Sequence, residues 1–170
     1  MTAAVIRDAT PQDADAIRAI HAQSFGGRQE ADLVDALIAG GEAAISLIAE
    51  AEGRAAGHIL FSPALLIFDD RAERALALAP LGVLPDFQRR GVGARLIRDG
   101  LAQAMVAGWR AVFVLGDPAY YTRFGFLAET VAGLASPYAG PHFMGLELTP
   151  GALKGTGGRV AYATPFAALG

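Results

Sequence analysis

The chain has 170 residues, of which 53% are hydrophobic and 18% are charged, and its formal net charge at pH 7 is −3. Such a length and composition are typical of one compact globular unit, so we expect a single domain over residues 1–170. The acidic balance offers no basic surface for nucleic acid or an anionic membrane, and the lack of cysteine excludes disulfides, thiolate metal ligands and thiol nucleophiles.

In the first half of the chain, the sequence predicts two helices followed by three strands. An apolar run over residues 3–7 precedes Thr10-Pro11, which is the N-cap and first-turn pattern of a helix start. Apolar residues at helical spacing follow, and a second helix is predicted over residues 29–38. A hairpin turn joins the first two of three strand-like runs, which cover residues 44–51, 55–68 and 75–84.

The second half alternates helices and short strands, which together predict an α/β domain with more strands than helices. A helix is expected from about residue 91 to residue 107, and a buried strand is expected over residues 111–115 because of its β-branched and aromatic content. The remaining predictions are a short helical segment over residues 118–124 and strands near Thr130, over residues 142–148 and over residues 159–163.

Histidine spacing and apolar runs argue against a metalloprotein and a membrane protein. The three histidines, His21, His58 and His142, contain no pair at the i, i+4 spacing of helical metal ligands, so no metal is expected. The first eight residues lack the basic and long apolar regions of a signal peptide. The apolar run over residues 59–68 is about half as long as a membrane-spanning helix. We therefore expect a cytoplasmic protein.

The segment Gln88-Arg89-Arg90-Gly91-Val92-Gly93-Ala94 stands between a predicted strand and a predicted helix. The start of a helix exposes unpaired N–H donors and the positive end of the helix dipole, which attract anions. Glycine at positions 91 and 93 leaves room for a phosphate at those donors, and the two arginines add positive charge. The segment therefore predicts a pyrophosphate-binding loop.

Two common phosphate loops do not fit this spacing. A P-loop needs Lys followed by Ser or Thr after its last glycine, where this chain has Ala94-Arg95. A dinucleotide fingerprint needs a third glycine three positions after Gly93, where Leu96 stands instead. An ordinary nucleotide-binding α/β protein that uses the same glycine loop stays open as an alternative.

Residues 88–94 have the spacing Q/R-x-x-G-x-G/A, which resembles the coenzyme A pyrophosphate loop of the GNAT superfamily of N-acetyltransferases. The preceding Leu81-Gly82-Val83-Leu84-Pro85 is similar to the L-x-V-x-P lead-in of that family. A second segment, LGDPAYYTRFGF at residues 115–126, resembles the family's F-Y-x-x-x-G-F segment. The amino-acid sequence of this second segment is similar to that of one bacterial branch of the superfamily, the YhbS-like predicted acetyltransferases.

The resemblance implies the GNAT acyltransferase fold, an α/β (in some schemes α+β) architecture. Its mixed sheet of about six or seven strands is splayed at a V-shaped gap and flanked by about four helices. Acetyl-CoA, the implied co-substrate, would lie in the gap between strands over residues 77–84 and 111–115, and Gly82 would permit a bulge that opens it. The implied cofactor-binding residues are Leu81, Gly82, Val83, Gln88, Arg89, Arg90, Gly91, Val92, Gly93 and Ala94.

The resemblance also implies direct attack of an amine on the thioester, which needs a base for the amine and an acid for the leaving thiolate. Tyr121 matches the acid position of the family, and a phenol with a pKa of about 10 is a suitable donor. Residues 77–83 contain no glutamate where many relatives place their base. The base is left open, with a water relay as one route and Asp117, Glu147 and His142 as distant candidates.

The binding site for the acceptor amine is expected where the first two helices meet residues 136–147. The candidate substrate-binding residues there are Phe25, Tyr138, His142 and Phe143, together with Met144. They are compatible with a small-molecule or peptide amine, whose identity the sequence does not give, and the apolar strands near the C-terminus leave room for a homodimer. An acyl-CoA-binding sensor with the same fold and little or no catalysis is the alternative function.

Overall fold

A seven-stranded mixed sheet organises the protein in the computed structural model, which describes residues 3–169. The strands are β1 (Val5–Asp8), β2 (Ile45–Ala51), β3 (Arg54–Ile67), β4 (Ala72–Val83), β5 (Ala111–Leu115), β6 (Phe143–Glu147) and β7 (Arg159–Ala161). The α-helices in these residues are α1 (Ala14–Phe25), α2 (Gln29–Ala39), α3 (Val92–Val106) and α4 (Pro118–Tyr121). The strand order is β1-β2-β3-β4-β5-β6, with β7 paired to β3. Only β4 and β5 run parallel among these pairs.

Helices pack on both faces of this sheet, because successive side chains of a strand point to opposite faces. Ile48 and Leu60 pack with α1 and α2, whereas their neighbours Leu47 and Ile59 pack with α3. All four side chains are fully buried. The mixed α/β architecture implied by the sequence motifs is therefore confirmed.

The helices and strands lie close to their predicted bounds, except near Thr130. The strand predicted there is wrong, because these residues form a 3-10 turn, Glu129–Val131. The Thr130 hydroxyl donates to the carbonyl oxygens of Leu127 and Gly145, at 2.8 and 3.1 Å. Leu127 and Gly145 form an isolated bridge. Side-chain hydrogen bonds thus hold this segment in place of a longer ladder.

The sheet opens where β4 and β5 separate. Their parallel pairing ends at Leu78 and Val114, after which β4 continues without β5. On the other side of β4 the register with β3 shifts, so that two residues, Ala79 and Pro80, lie opposite Leu60 alone. Such a β-bulge bends the strand that contains it, and Pro80 has no N–H to donate to β5. The V-shaped gap therefore begins at Ala79-Pro80.

Gly82 is not at the bulge that was predicted for it. It pairs in regular register with His58 of β3, so the prediction that Gly82 opens the gap is wrong. A Cβ atom at this position would lie 2.6 Å from Nδ1 of His21, which is closer than any side chain allows. Glycine is required here because α1 packs directly on β4.

A buried chain of hydrogen bonds joins α1 to the sheet through His21, His58 and Ser46. His21 Nε2 lies 2.8 Å from His58 Nδ1, and His58 Nε2 lies 2.8 Å from Ser46 Oγ. Burial lowers the pKa of His21 to about 4 and that of His58 to about 3, with the neighbouring His21 adding to the effect on His58. The two histidines are 37 residues apart, so their sequence spacing gave no sign of this contact.

We expect these histidines to make the protein less stable as the pH falls from about 7 to about 4.5. Above their ordinary pKa of 6.5 both rings are neutral in the folded and the unfolded chain. Below it, the unfolded chain binds protons that the folded chain does not yet bind, so the free energy of unfolding decreases. The lowered pKa of His21 corresponds to about 3 kcal/mol at full extent.

Urea unfolding at the two pH values measures this effect. The double variant His21→Asn, His58→Asn should show a weaker pH dependence than the wild type. His142→Gln replaces an exposed ring, so this variant should keep the full pH dependence of the free energy of unfolding. An equal free energy of unfolding of the wild type at both pH values would contradict the role of the buried pair.

Candidate active site

Two cavities meet at Leu81, beside the gap between β4 and β5. The first has a volume of about 400 Å³, and we call it the aromatic cavity because its lining includes Phe25, Phe113, Tyr121, Tyr138, Phe143, Tyr162 and Phe166. The second has a volume of about 540 Å³, and we call it the loop cavity because its lining includes Gln88, Arg89, Gly91, Val92, Gly93 and Ala94. A ligand that fills both must pass Leu81.

The loop cavity lies against the N-terminus of α3. Gly91 is the N-cap residue, and no side chain caps this helix. The Arg95 N–H bonds back to the Gly91 carbonyl at 3.0 Å. The N–H groups of Val92, Gly93 and Ala94 precede it and have no acceptor within the helix, as in every α-helix. Together with the dipole of a 15-residue helix, they form an anion-binding N-terminus.

The two glycines of the loop are required for different reasons. Gly91 has a φ of 80°, in the left-handed region that favours glycine. Gly93 lies within α3, where a Cβ atom would be 3.0 Å from the Tyr120 hydroxyl and 3.7 Å from the Leu81 side chain. Gly91 therefore makes the turn into the helix, and Gly93 keeps the loop cavity open.

The two adjacent arginines of the loop point in different directions. Arg89 lines the loop cavity. The Arg90 guanidinium lies 3.3 Å from Glu52 and 5.3 Å from the centre of the Phe87 ring, and Arg90 is not part of the lining. Of the two side chains, only Arg89 is thus among the lining residues, and a contact of Arg90 with the pyrophosphate stays a prediction.

Arg123 is a cation at the loop cavity that sequence analysis missed. Its guanidinium lies 4.9 Å from the centre of the Tyr120 ring, a cation–π contact that restrains an otherwise exposed side chain. The available signal was its position two residues after Tyr121 in the second motif. That motif was interpreted through its aromatic residues and glycine alone.

Beyond the bulge, β4 turns backbone groups towards the cavities at alternate residues. The Val83 N–H points to Ser24 Oγ at 3.4 Å, and the Val83 carbonyl accepts a hydrogen bond from Gln88 Nε2 at 2.9 Å. Both groups therefore point away from β3, and so do those of Leu81, because backbone groups alternate along a strand. Gly82 pairs with β3 and lines neither cavity.

Tyr121 lines the aromatic cavity with its ring against the backbone of Gly116. A Cβ atom at Gly116 would lie 2.5 Å from that ring. Burial raises the pKa of Tyr121 to about 12, with a smaller contribution from Tyr120. Its hydroxyl has no hydrogen-bond partner among the described residues. Tyr121 is therefore fully protonated at neutral pH and is a weaker acid than an exposed phenol.

Three of the four candidate substrate-binding residues line the aromatic cavity, namely Phe25, Tyr138 and Phe143. His142 is exposed instead, and its Nδ1 lies 3.1 Å from the carbonyl oxygen of Gly116, a residue of the cavity wall. Met144 is buried in the core that packs against α3, so it does not face the cavity.

The two distant carboxylates considered as bases have structural roles. Asp117 accepts a hydrogen bond from the Ala119 N–H at 3.0 Å and caps α4. Glu147 accepts one from the Leu153 N–H at 2.9 Å. Neither residue lines the aromatic cavity.

Glu30 is a second candidate that sequence analysis missed. It lies in the first turn of α2 and lines the aromatic cavity. No pattern distinguished it from the other acidic residues of this helix, such as Asp32 and Asp35. Only the packing of α2 against the sheet places Glu30 at the cavity wall.

Neither a metal centre nor a membrane-spanning helix is found between residues 3 and 169. His21 and His58 touch, but no group of three or more His, Cys, Asp or Glu side chains in these residues is arranged to hold a metal ion. No helix in the same range is long and apolar enough to cross a membrane.

Comparison with known proteins identifies relatives of this site and fold. The model of a family described as the acetyltransferase (GNAT) family matches residues 14–126, from the start of α1 to the end of the second motif. The chain is 45% identical over 123 residues to the uncharacterized N-acetyltransferase YjhQ of Escherichia coli K12, covering 71% of this chain and 67% of the relative. It is 34% identical over 165 residues to the uncharacterized N-acetyltransferase YhbS of the same strain, covering 95% and 98%.

Two similar solved structures contain ligands. One is the GNAT family N-acetyltransferase YhbS of Escherichia coli in complex with CoA, with a TM-score of 0.89 and 33% identity over 100% of this chain and 95% of that one. The other is a GNAT family acetyltransferase of Brucella melitensis in complex with acetyl-CoA, with a TM-score of 0.79 and 37% identity over 96% and 97% of the two chains.

Proposed function

This chain belongs to the acetyltransferase (GNAT) family, and on that premise we propose that it moves the acetyl group of acetyl-CoA to a primary amine. The observation that carries the proposal is the meeting of two cavities at Leu81, where β4 leaves β5. One cavity has an anion-binding helix N-terminus, and the other has an aromatic lining with the Tyr121 hydroxyl. Relatives that contain CoA or acetyl-CoA support this assignment.

Acetyl-CoA would lie across both cavities. Its diphosphate would accept hydrogen bonds from the N–H groups at the start of α3, and Arg89 and Arg123 line the same cavity. Its pantetheine amides would pair with the backbone of Leu81 and Val83, as an added strand pairs with an open sheet edge. The thioester would then reach the aromatic cavity at the gap beyond Leu78.

The proposed reaction is direct transfer within a ternary complex. The neutral amine nitrogen attacks the thioester carbonyl carbon, a C–N bond forms, and the C–S bond breaks. The Tyr121 hydroxyl donates its proton to the leaving thiolate, and the proton released by the nitrogen returns to the tyrosinate through water. The products are the acetamide and free CoA thiol, so Tyr121 ends in its starting state.

The raised pKa of Tyr121 affects the transfer of its proton to the leaving thiolate. A phenol with a pKa of about 12 gives up its proton less readily than an exposed phenol. The same apolar surroundings disfavour a thiolate, so they also raise the pKa of a thiol that leaves in the same cavity. The pKa values of the Tyr121 phenol and the leaving thiol are thus closer to each other than the raised phenol pKa alone indicates.

The test of the proposed function is release of free thiol from acetyl-CoA in the presence of a broad amine panel. A parallel thermal-shift titration compares acetyl-CoA with ATP and NAD, because a ligand that binds only the folded protein raises its melting temperature. Amine-dependent thiol release supports the proposal. A shift with acetyl-CoA and no turnover would favour an acyl-CoA sensor, and a shift with a nucleotide alone would reject the CoA assignment.

We expect Arg123→Gln to weaken acetyl-CoA binding about tenfold at low ionic strength, because one charge-assisted phosphate contact is lost. Arg90→Gln is the matched control and should have a smaller effect, since its guanidinium lies at Glu52. Added salt should reduce the difference between wild type and Arg123→Gln. Calorimetric titration measures both, and equal losses in the two variants would contradict the assignment of Arg123.

A further inference from the structure

Glu30 differs in chemical character from the other residues that line the aromatic cavity. Of the described residues that line this cavity, Glu30 is the only Asp, Glu, Lys, Arg or His. It is half-buried and makes no hydrogen bond or ion pair with any described residue. A cation or a hydrogen-bond donor that enters the cavity can therefore pair with this side chain without displacing another protein group.

Unlike Glu30, two other acidic residues of α2 form ion pairs within the protein. Asp32 and Asp35 both form ion pairs with Arg18 of α1. Both carboxylates therefore share one guanidinium, which links α1 to α2. Glu30, two residues before Asp32 on the same helix, has no such partner among the described residues.

The rest of the cavity wall defines the kind of cation that fits. Aromatic rings from Phe25, Tyr138, Phe143 and Tyr162 line it, and such rings attract an ammonium group by their faces and a carbon skeleton by contact. No Lys or Arg is among its lining residues in the described chain, so an anionic group on the ligand would have no partner there. A volume of about 400 Å³ suits a small molecule.

We propose that Glu30 binds the ammonium group of the acceptor, and that the acceptor is a small monoamine with an aromatic or apolar skeleton and no anionic group. This inference rests on the proposed function, because it assigns the acceptor of the same site. Glu30 is a substrate-binding residue in this account. The bound ammonium loses one proton through water before its nitrogen attacks.

Initial rates with phenethylamine and with phenylalanine test the proposal, because the two amines differ by one carboxylate. The wild type should prefer phenethylamine in kcat/KM by at least about tenfold. Glu30→Gln should raise the KM for phenethylamine by at least about tenfold with a much smaller change in kcat, since it removes ground-state binding. Comparable rates with both amines would overturn the proposal.

Glu42→Gln is the matched control for this experiment. Glu42 is also half-buried and follows the other end of α2, but it lies outside the aromatic cavity. The Glu42→Gln variant removes the same charge as Glu30→Gln and should leave the KM for phenethylamine unchanged. If Glu30→Gln behaves like Glu42→Gln, the role of Glu30 is wrong even though the acetyltransferase activity stands.

A calorimetric titration of phenethylamine into protein saturated with CoA separates this proposal from the proposed function. If no amine releases thiol, the catalytic proposal fails, but the binding site is still measured. Binding to the wild type that is lost in Glu30→Gln and kept in Glu42→Gln supports the inference. Absence of binding to the wild type, or equal binding by Glu30→Gln, overturns it.

Discussion

Acetyl-CoA binding is expected to fall by at least about 100-fold in the Gly93→Asp variant. A carboxylate at this position would lie at the anion-binding start of α3, and its Cβ atom would be 3.0 Å from the Tyr120 hydroxyl. Bringing a like charge to a bound diphosphate costs several kcal/mol, and each 1.4 kcal/mol is about tenfold in affinity. The same change at Gly91 should also weaken binding strongly, but the left-handed φ of 80° there adds backbone strain.

The Gly93→Asn variant separates the effect of side-chain shape on acetyl-CoA affinity from the effect of charge. Asparagine has nearly the same volume without the negative charge, so it should weaken binding less than aspartate does. Aspartate in the first turn of a helix is favourable for the helix itself, so Gly93→Asp should stay folded, which thermal unfolding checks. Calorimetric titration gives the affinities, and an unchanged affinity in Gly93→Asp would refute the assignment of the loop.

Tyr121→Phe is expected to lower kcat by about 100-fold while leaving acetyl-CoA affinity nearly unchanged. General acid catalysis contributes roughly 100-fold or more, and the phenylalanine ring preserves the packing against Gly116. The hydroxyl has no partner among the described residues, so its loss leaves no buried group unsatisfied. Steady-state rates together with acetyl-CoA titration measure the two effects separately.

Tyr120→Phe is the matched control for this variant. The two rings are adjacent, with centres 5.1 Å apart, but Tyr120 lines the loop cavity and Tyr121 lines the aromatic cavity. Removing the Tyr120 hydroxyl should therefore change kcat little. A Tyr121→Phe variant with wild-type kcat would place the acid elsewhere.

The sequence predicted most helices and strands well because local patterns govern them, whereas the splayed mixed sheet was implied by the family resemblance of two motifs. Apolar spacing located α1, α2 and α3, and the glycine loop was identified from the chemistry of a helix N-terminus that Gly91 and Gly93 leave accessible. Those inferences depend on residues close together in the chain. They needed no knowledge of which elements pack together.

The features that the sequence did not reveal depend on tertiary packing. Arg123 and Glu30 become site residues only because α4 and α2 lie beside the gap in the sheet. Arg90 carries the same charge as Arg89, but its guanidinium pairs with Glu52. An isolated sequence gives no measure of such contacts.

The bulge shows how a local pattern can mislead. Glycine in a strand is a common sign of a bulge, and Gly82 was interpreted in that way. The register with β3 instead shifts at Ala79-Pro80, and Gly82 is small because His21 lies against it. Distinguishing the two explanations required the position of α1.

A crystal structure of the protein grown with CoA tests the central claim most directly. We expect the diphosphate within hydrogen-bond distance of the N–H groups of Val92, Gly93 and Ala94, and the thiol beyond Leu81 on the side of Tyr121. A diphosphate bound elsewhere on the protein, with the start of α3 occupied by neighbouring side chains, would contradict it.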